Sequence, residues 1–143
     1  MTAIRAAASL PRPVIRLYAI PYSTNVERVT LALAHKGLDA EAVMLDPADR
    51  APVRELSGQD LVPVIEHDGR VIADSTAIIE YLEELRPDPP LYPRDPPRAT
   101  EMRVFIDWFN RVWKGPPNEI EDALAAGGGD QERINALPRA PGI

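Results

Sequence analysis

Three short stretches combine residue types whose chemistry depends on where the backbone places them. In Pro21-Tyr22-Ser23-Thr24-Asn25, the last three residues are all good helix N-cap types and stand just ahead of an apolar period. In Leu61-Val62-Pro63-Val64-Ile65-Glu66, a β-rich run is interrupted by a proline. In Asp74-Ser75, two capping residues again precede a helical pattern. A helix start presents unpaired N–H groups and the positive end of the helix dipole, so Ser75 beside Asp74 is a place for an anion. A strand broken at Pro63 leaves main-chain groups available around Val62, and an extended peptide could pair with them as an added strand. The plainer readings stay open: Asp74 and Ser75 as caps alone, Ser23 as an N-cap serine, and Pro63 as a structural proline.

Other chemistries lack their residues. The chain has no cysteine, which excludes a disulfide scaffold, a thiolate zinc site and nucleophilic or redox chemistry on its own thiol. His35 and His67 are isolated and read as a helix-end and a turn histidine, so no metal is expected. Glycine-rich phosphate loops, HExxH and GxSxG are missing from the sequence. Glu83-Glu84 and Glu119-Glu121-Asp122 read as solvated helix faces.

Composition narrows the class further. The 143 residues hold 16 Lys plus Arg against 22 Asp plus Glu, a net charge of −6. A pI near 4.9 argues against nucleic acid or an anionic membrane surface as partner. The 45% apolar content suffices for a core, and no run approaches the ~18 apolar residues of a membrane span. The first ten residues are Ala-rich with one Arg and lack a secretory apolar core, which points to an unstructured extension on a cytoplasmic protein rather than an organellar leader.

Elements that position these residues can be read from the periods. Val14–Ile20 reads as a buried strand. Val26, Val29 and Leu33 form one helix face that Gly37 stops. Glu41–Leu45 is a second strand, and Val53–Leu56 a short helical turn. Leu61–Glu66 and Val71-Ile72 flank a His67-Asp68-Gly69-Arg70 hairpin turn, and Ile78, Ile79, Tyr81, Leu82 and Leu85 give a further helix that Pro87 ends. Six of the sixteen prolines fall between 87 and 97, marking a linker. Beyond it, Met102, Phe105, Ile106, Phe109, Val112 and Trp113 carry the strongest helical period, with Gly115-Pro116-Pro117 expected as a break and Asn118–Leu124 as a resumed helix. The expected organisation is a disordered extension over 1–13, an α/β domain over 14–86, a linker over 87–96, one or two helices over 97–126 and a disordered tail over 127–143.

The order β-α-β, linker, β-β-α is a thioredoxin-like arrangement, and Pro63 fits it if Val62–Pro63 is a cis bond at the strand entrance. The segments LYAIPYSTNVERVTLALAHKGL and LVPVIEHDGRVIADSTAIIEYLEE resemble the glutathione-binding N-terminal domain of the soluble glutathione transferases. FIDWFNRVW resembles the first helix of that family's helical C-terminal domain, so the expected fold class is α/β, thioredoxin-like, followed by a truncated all-helical segment.

The resemblance implies roles. Glutathione would be the co-substrate, its γ-glutamyl carboxylate on Ser75, its ammonium beside Asp74, and its cysteinyl main chain on Val62 before Pro63. Ser23 would stabilise the thiolate, with Tyr18 as the second choice although its count turns it to the other strand face. Partners implied are a small electrophile and a second copy, with the 97–114 helix of one copy packing on the other's third helix near Tyr81. Three features depart from the family: Leu61 stands where a basic or amide residue is common, Ser23 where some members have cysteine, and most of the second domain is lacking. A non-catalytic glutathione-binding or protein-interaction module and an inactive fragment are therefore the rival readings.

Overall fold

In the computed structural model, residues 14–125 are described. The expectations for 1–13 and for the tail lie outside them. The elements are β1 (Ile15–Ala19), α1 (Thr24–Lys36), β2 (Ala40–Met44), α2 (Ala51–Ser57), β3 (Val64–His67), β4 (Arg70–Ala73), α3 (Ser75–Leu85), α4 (Pro96–Trp108), a π-helical turn (Phe109–Trp113) and α5 (Gly115–Ala125). Four strands form one sheet in the order β2-β1-β3-β4, with β1 and β2 parallel and the other pairs antiparallel. This is the α/β thioredoxin-like order, followed by helices.

Alternation along β1 sets the two faces of the sheet. Ile15, Leu17 and Ala19 point to one face and join Ile65, Val29, Ala32, Leu33, Ile78 and Leu82 in the core beneath α1 and α3. Gly37 closes α1 in the left-handed region (φ 59°), and its N–H bonds to Ala34 while Leu38 bonds to Leu33. A side chain there would be strained, which is why the chain has glycine. The β3–β4 hairpin turns on Asp68 and Gly69, both at positive φ (50° and 74°), the pattern of a tight hairpin turn.

Two sequence expectations need correction. The strand expected from Leu61 begins only at Val64, because Val62–Pro63 is cis and Pro63 has no N–H for the ladder. The break expected at Gly115-Pro116-Pro117 is instead the first turn of α5, where the missing proline N–H groups have no intrahelical partner to lose.

The far ends of α1 and α3 are tied together by a buried cation. Lys36 has 0% side-chain exposure and pairs with Glu83, and its Nζ also donates to the Pro89 carbonyl at 2.7 Å. Glu83 accepts the Leu91 N–H at 2.9 Å, and the Arg86 guanidinium donates to the carbonyls of Lys36 and Gly37, each at 2.7 Å. His35 Nε2 lies 3.3 Å from the Pro90 carbonyl. Residues 89–91 are thus bound to the first compact unit, which ends at Leu91.

The second unit starts at Tyr92. Asp95 caps α4 by accepting from the Arg98 N–H, and Pro96 and Pro97 occupy the first turn. Phe105, Trp108, Phe109 and Trp113 run as a ladder of ring contacts, the last pair stacked at 4.9 Å. Val104 and Phe105 are largely exposed, at 64% and 59%.

Candidate functional site

Two helix starts and one strand entrance carry the expected residues. Ser23 is the N-cap of α1, in extended conformation (φ −82°, ψ 116°), and its Oγ accepts the Val26 N–H at 3.4 Å. An N-cap uses the oxygen lone pair and leaves the hydroxyl hydrogen able to donate. Capping and stabilising an anion are therefore compatible roles for this one hydroxyl. Tyr22, just before it, has φ 61° and a fully exposed side chain.

Asp74 is the N-cap of α3, and its Oδ1 accepts the N–H groups of Thr76 and Ala77 at 2.8 and 3.1 Å. Its φ of 74° is a strained setting for a residue with a Cβ. Ser75 follows as the first helical residue and is 5% exposed. The Arg28 guanidinium, from α1, donates to Ser75 Oγ at 3.2 Å. An oxygen accepting from a guanidinium keeps its own hydrogen for a second partner, and the cation adds to the positive potential of the helix start.

Val62 lies outside the ladder, whose register on both sides of β3 stops at Val64. Its approach is fixed by Gln59, which accepts the Leu61 N–H at 2.6 Å and donates to the Leu61 carbonyl at 2.9 Å. The Leu61 side chain itself is 75% exposed. Upstream, Arg54 forms a fork onto Asp60 at 2.6 and 2.9 Å. This hydrogen-bonded pair holds the Asp60 carboxyl below its ordinary range and Arg54 above its own.

Tyr18 is not part of this group. It pairs in register with Val64, on the face opposite Leu17 and Ile65, and its hydroxyl donates to Glu66 Oε2 at 3.3 Å. α1 carries both Ser23 and the arginine that meets Ser75, so Ser23, Asp74 and Ser75 share one end of the α1–α3 layer. Sequence reading missed Arg28 and Gln59. Gln59 bonds only two residues away, to Leu61, and so lay within reach of local reading; Arg28 had no such signal, because its partner is 47 residues away. Among the described residues, no group of His, Asp or Glu is placed to hold a metal, and no helix is long and apolar enough to cross a membrane.

The family model described as "Glutathione S-transferase, N-terminal domain" matches residues 17–90. Protein LigF of Sphingobium sp. strain SYK-6 is 34% identical over 105 residues, which cover 69% of this chain and 41% of that protein. Its crystal structure, as a β-etherase, superposes with a TM-score of 0.71 at 30% identity, covering 90% of this chain and 58% of that one. Maleylacetoacetate isomerase of Rattus norvegicus is 37% identical over 97 residues, covering 64% of this chain and 45% of that protein. The maleylacetoacetate isomerase of Anaeromyxobacter dehalogenans, solved with bound glutathione in its active site, matches at 32% identity and a TM-score of 0.59, covering 71% of this chain and 50% of that one. The chain spans less than half the length of these two curated relatives.

Proposed function

Because the chain belongs to the glutathione S-transferase family, we propose that it binds glutathione across the starts of α1 and α3 and activates its thiol for attack on an electrophilic carbon. The observation that carries this reading is shared by two serines. Ser23 and Ser75 each spend their oxygen on a donor from within the chain, the Val26 N–H and the Arg28 guanidinium, and keep a hydrogen to donate. Ser75 and the first N–H groups of α3 take the γ-glutamyl carboxylate, Asp74 takes the ammonium, and the main chain of Val62 pairs with the cysteinyl residue.

Ser23 then donates to the sulfur. Lowering a thiol pKa from about 8.5 to about 6.5 requires roughly 2.7 kcal/mol. One hydroxyl bond to a charged acceptor supplies about 1.5–3 kcal/mol. The start of α1 adds about 0.3–1 kcal/mol. The sum covers the requirement, so Ser23 acts as a donor and never as a nucleophile. The new bond joins sulfur to carbon, and the leaving group departs with the electron pair of the bond that breaks. Self-association through the exposed face of α4 belongs to the same proposal.

The test is retention on immobilised glutathione, followed by turnover of a generic aryl halide. Retention with turnover is the expected result. Retention without turnover would leave a binding module, and failure to be retained would end the glutathione reading.

A further inference from the structure

Among the described residues, three that are not glycine hold a positive φ: Tyr22 (61°), Asp68 (50°) and Asp74 (74°). The two aspartates have local reasons, one in the hairpin turn and one as the cap of α3, and a short polar side chain tolerates this region. Tyr22 has no such reason. A bulky ring in the left-handed region costs free energy that a glycine in its place would avoid. Packing within the chain does not offset the cost, because the Tyr22 side chain is fully exposed. A tyrosine held under strain and left without packing has its use outside the described chain.

Its position indicates that use. Tyr22 directly precedes Ser23, whose hydroxyl meets the sulfur on the proposed function, from which this inference follows. Adjacent Cα atoms stand about 3.8 Å apart, so the ring is within reach of the carbon that the sulfur attacks. Leu61, the residue before Val62, is exposed as well. The exposed side chains just ahead of the two proposed thiol-peptide contacts are thus both uncharged, which favours a neutral substrate over an anionic one. An aromatic face offers a second ring offset or edge-to-face stacking. We infer that Tyr22 is the platform on which the electrophile stacks beside the sulfur, so that the site selects a neutral aromatic compound whose reacting carbon is on or next to the ring.

The experiment compares benzyl chloride with allyl chloride, each activated at the reacting carbon but only one carrying a ring. In both, the thiolate sulfur bonds to that carbon and chloride leaves with the electron pair of the C–Cl bond, the thiol proton having gone to solvent. Relative to the uncatalysed reactions with free glutathione, the full chain should favour the benzyl compound. Tyr22→Ala should lower kcat/KM for benzyl chloride about 3- to 10-fold, the span of one aromatic pair, and leave allyl chloride as in the parent. Tyr22→Phe should keep the parent's preference, since stacking needs the ring and not the hydroxyl. A parent that accelerates both halides equally overturns the inference and leaves the proposed function standing. So does a Tyr22→Phe variant that loses activity on both, since that would make the hydroxyl a donor to the sulfur, and so does a Tyr22→Ala variant that changes both substrates alike. A parent that binds glutathione but accelerates neither halide overturns the inference and leaves a binding module. A parent that does not bind glutathione overturns the inference and the proposed function together.

Discussion

The guanidinium of Arg28 on α1 donates to Oγ of Ser75, the first residue of α3, at 3.2 Å and across 47 residues of sequence. The bond fixes which way the serine hydroxyl can point, because the oxygen is already occupied by a donor. α1 therefore acts on the proposed anion place of α3 without contributing its own N–H groups to it.

Ser75→Ala should weaken glutathione binding by about 1–3 kcal/mol, the cost of removing a bond to a charged group. Arg28→Met should weaken it by a similar amount, and the double variant by less than the sum, since both act through one hydroxyl. Calorimetry of the four proteins checks this. Strict additivity would mean that Arg28 and Ser75 serve separate ends.

Ser23→Ala should leave glutathione affinity nearly unchanged and raise the pKa of the bound thiol by about one to two units. The thiolate absorbance of the complex, followed against pH, reads this directly. An unchanged titration would transfer the role to another donor, Tyr22 being adjacent.

Around Lys36 the two halves of one ion pair should respond unequally. Glu83→Ala leaves a buried ammonium with only the Pro89 carbonyl among the contacts described above and should cost about 3–5 kcal/mol. Lys36→Met removes the charge and fills the volume, so it should cost clearly less. Urea unfolding of both variants decides. Equal losses would show that the charge pairing contributes little beyond packing.

The Arg54–Asp60 pair sets a small acid dependence. Asp60 has its pKa lowered in the folded chain, so the stability it contributes is present above the ordinary carboxylate pKa and is lost as pH falls through the depressed one. Asp60→Asn should remove this part of the acid limb: its small loss of stability is present near neutrality and disappears in strong acid, where the parent's carboxylate is itself protonated. Both side chains are more than half or about half exposed, at 59% and 50%, so the effect should shrink further in salt. Thermal melts from neutral pH down to well below the ordinary carboxylate pKa test it.

Phe105 is 59% exposed on α4. Phe105→Asp should shift the protein toward monomer if that face meets a second copy. Light scattering at tens of micromolar measures it, and a parent that is already a stable monomer would remove self-association from the proposal.

What the sequence made legible was governed by near neighbours. Gly37 announces its helix end because only a residue without a Cβ sits easily at its φ, and Asp68-Gly69 announces the hairpin for the same reason. Ser23 and Asp74 were readable as caps because a cap bonds two or three residues ahead. Glu83 was misleading. Read with Glu84 as part of a solvated helix face, it instead pairs with buried Lys36, and that partner stands 47 residues away in sequence. Pro116 and Pro117 were ambiguous in kind: a proline pair stops one helix or starts the next, and the choice depends on where the π-helical turn ends.

α1 and α3 run side by side in the same sense, with the proposed ligand contacts at their starts and the Lys36–Glu83–Arg86 anchor at their ends. Each helix is thus a rod held at both tips, about 16–20 Å apart at 1.5 Å per residue. Amide protons in the last turns of both helices can exchange with solvent only when the anchor opens. A ligand that binds only the closed form adds about 2.7 kcal/mol to a shared opening at a hundredfold excess over its Kd. Glutathione should then slow deuterium uptake near Lys36 and Leu85, residues it never touches, and the protection pattern would report how far the first unit opens as one piece.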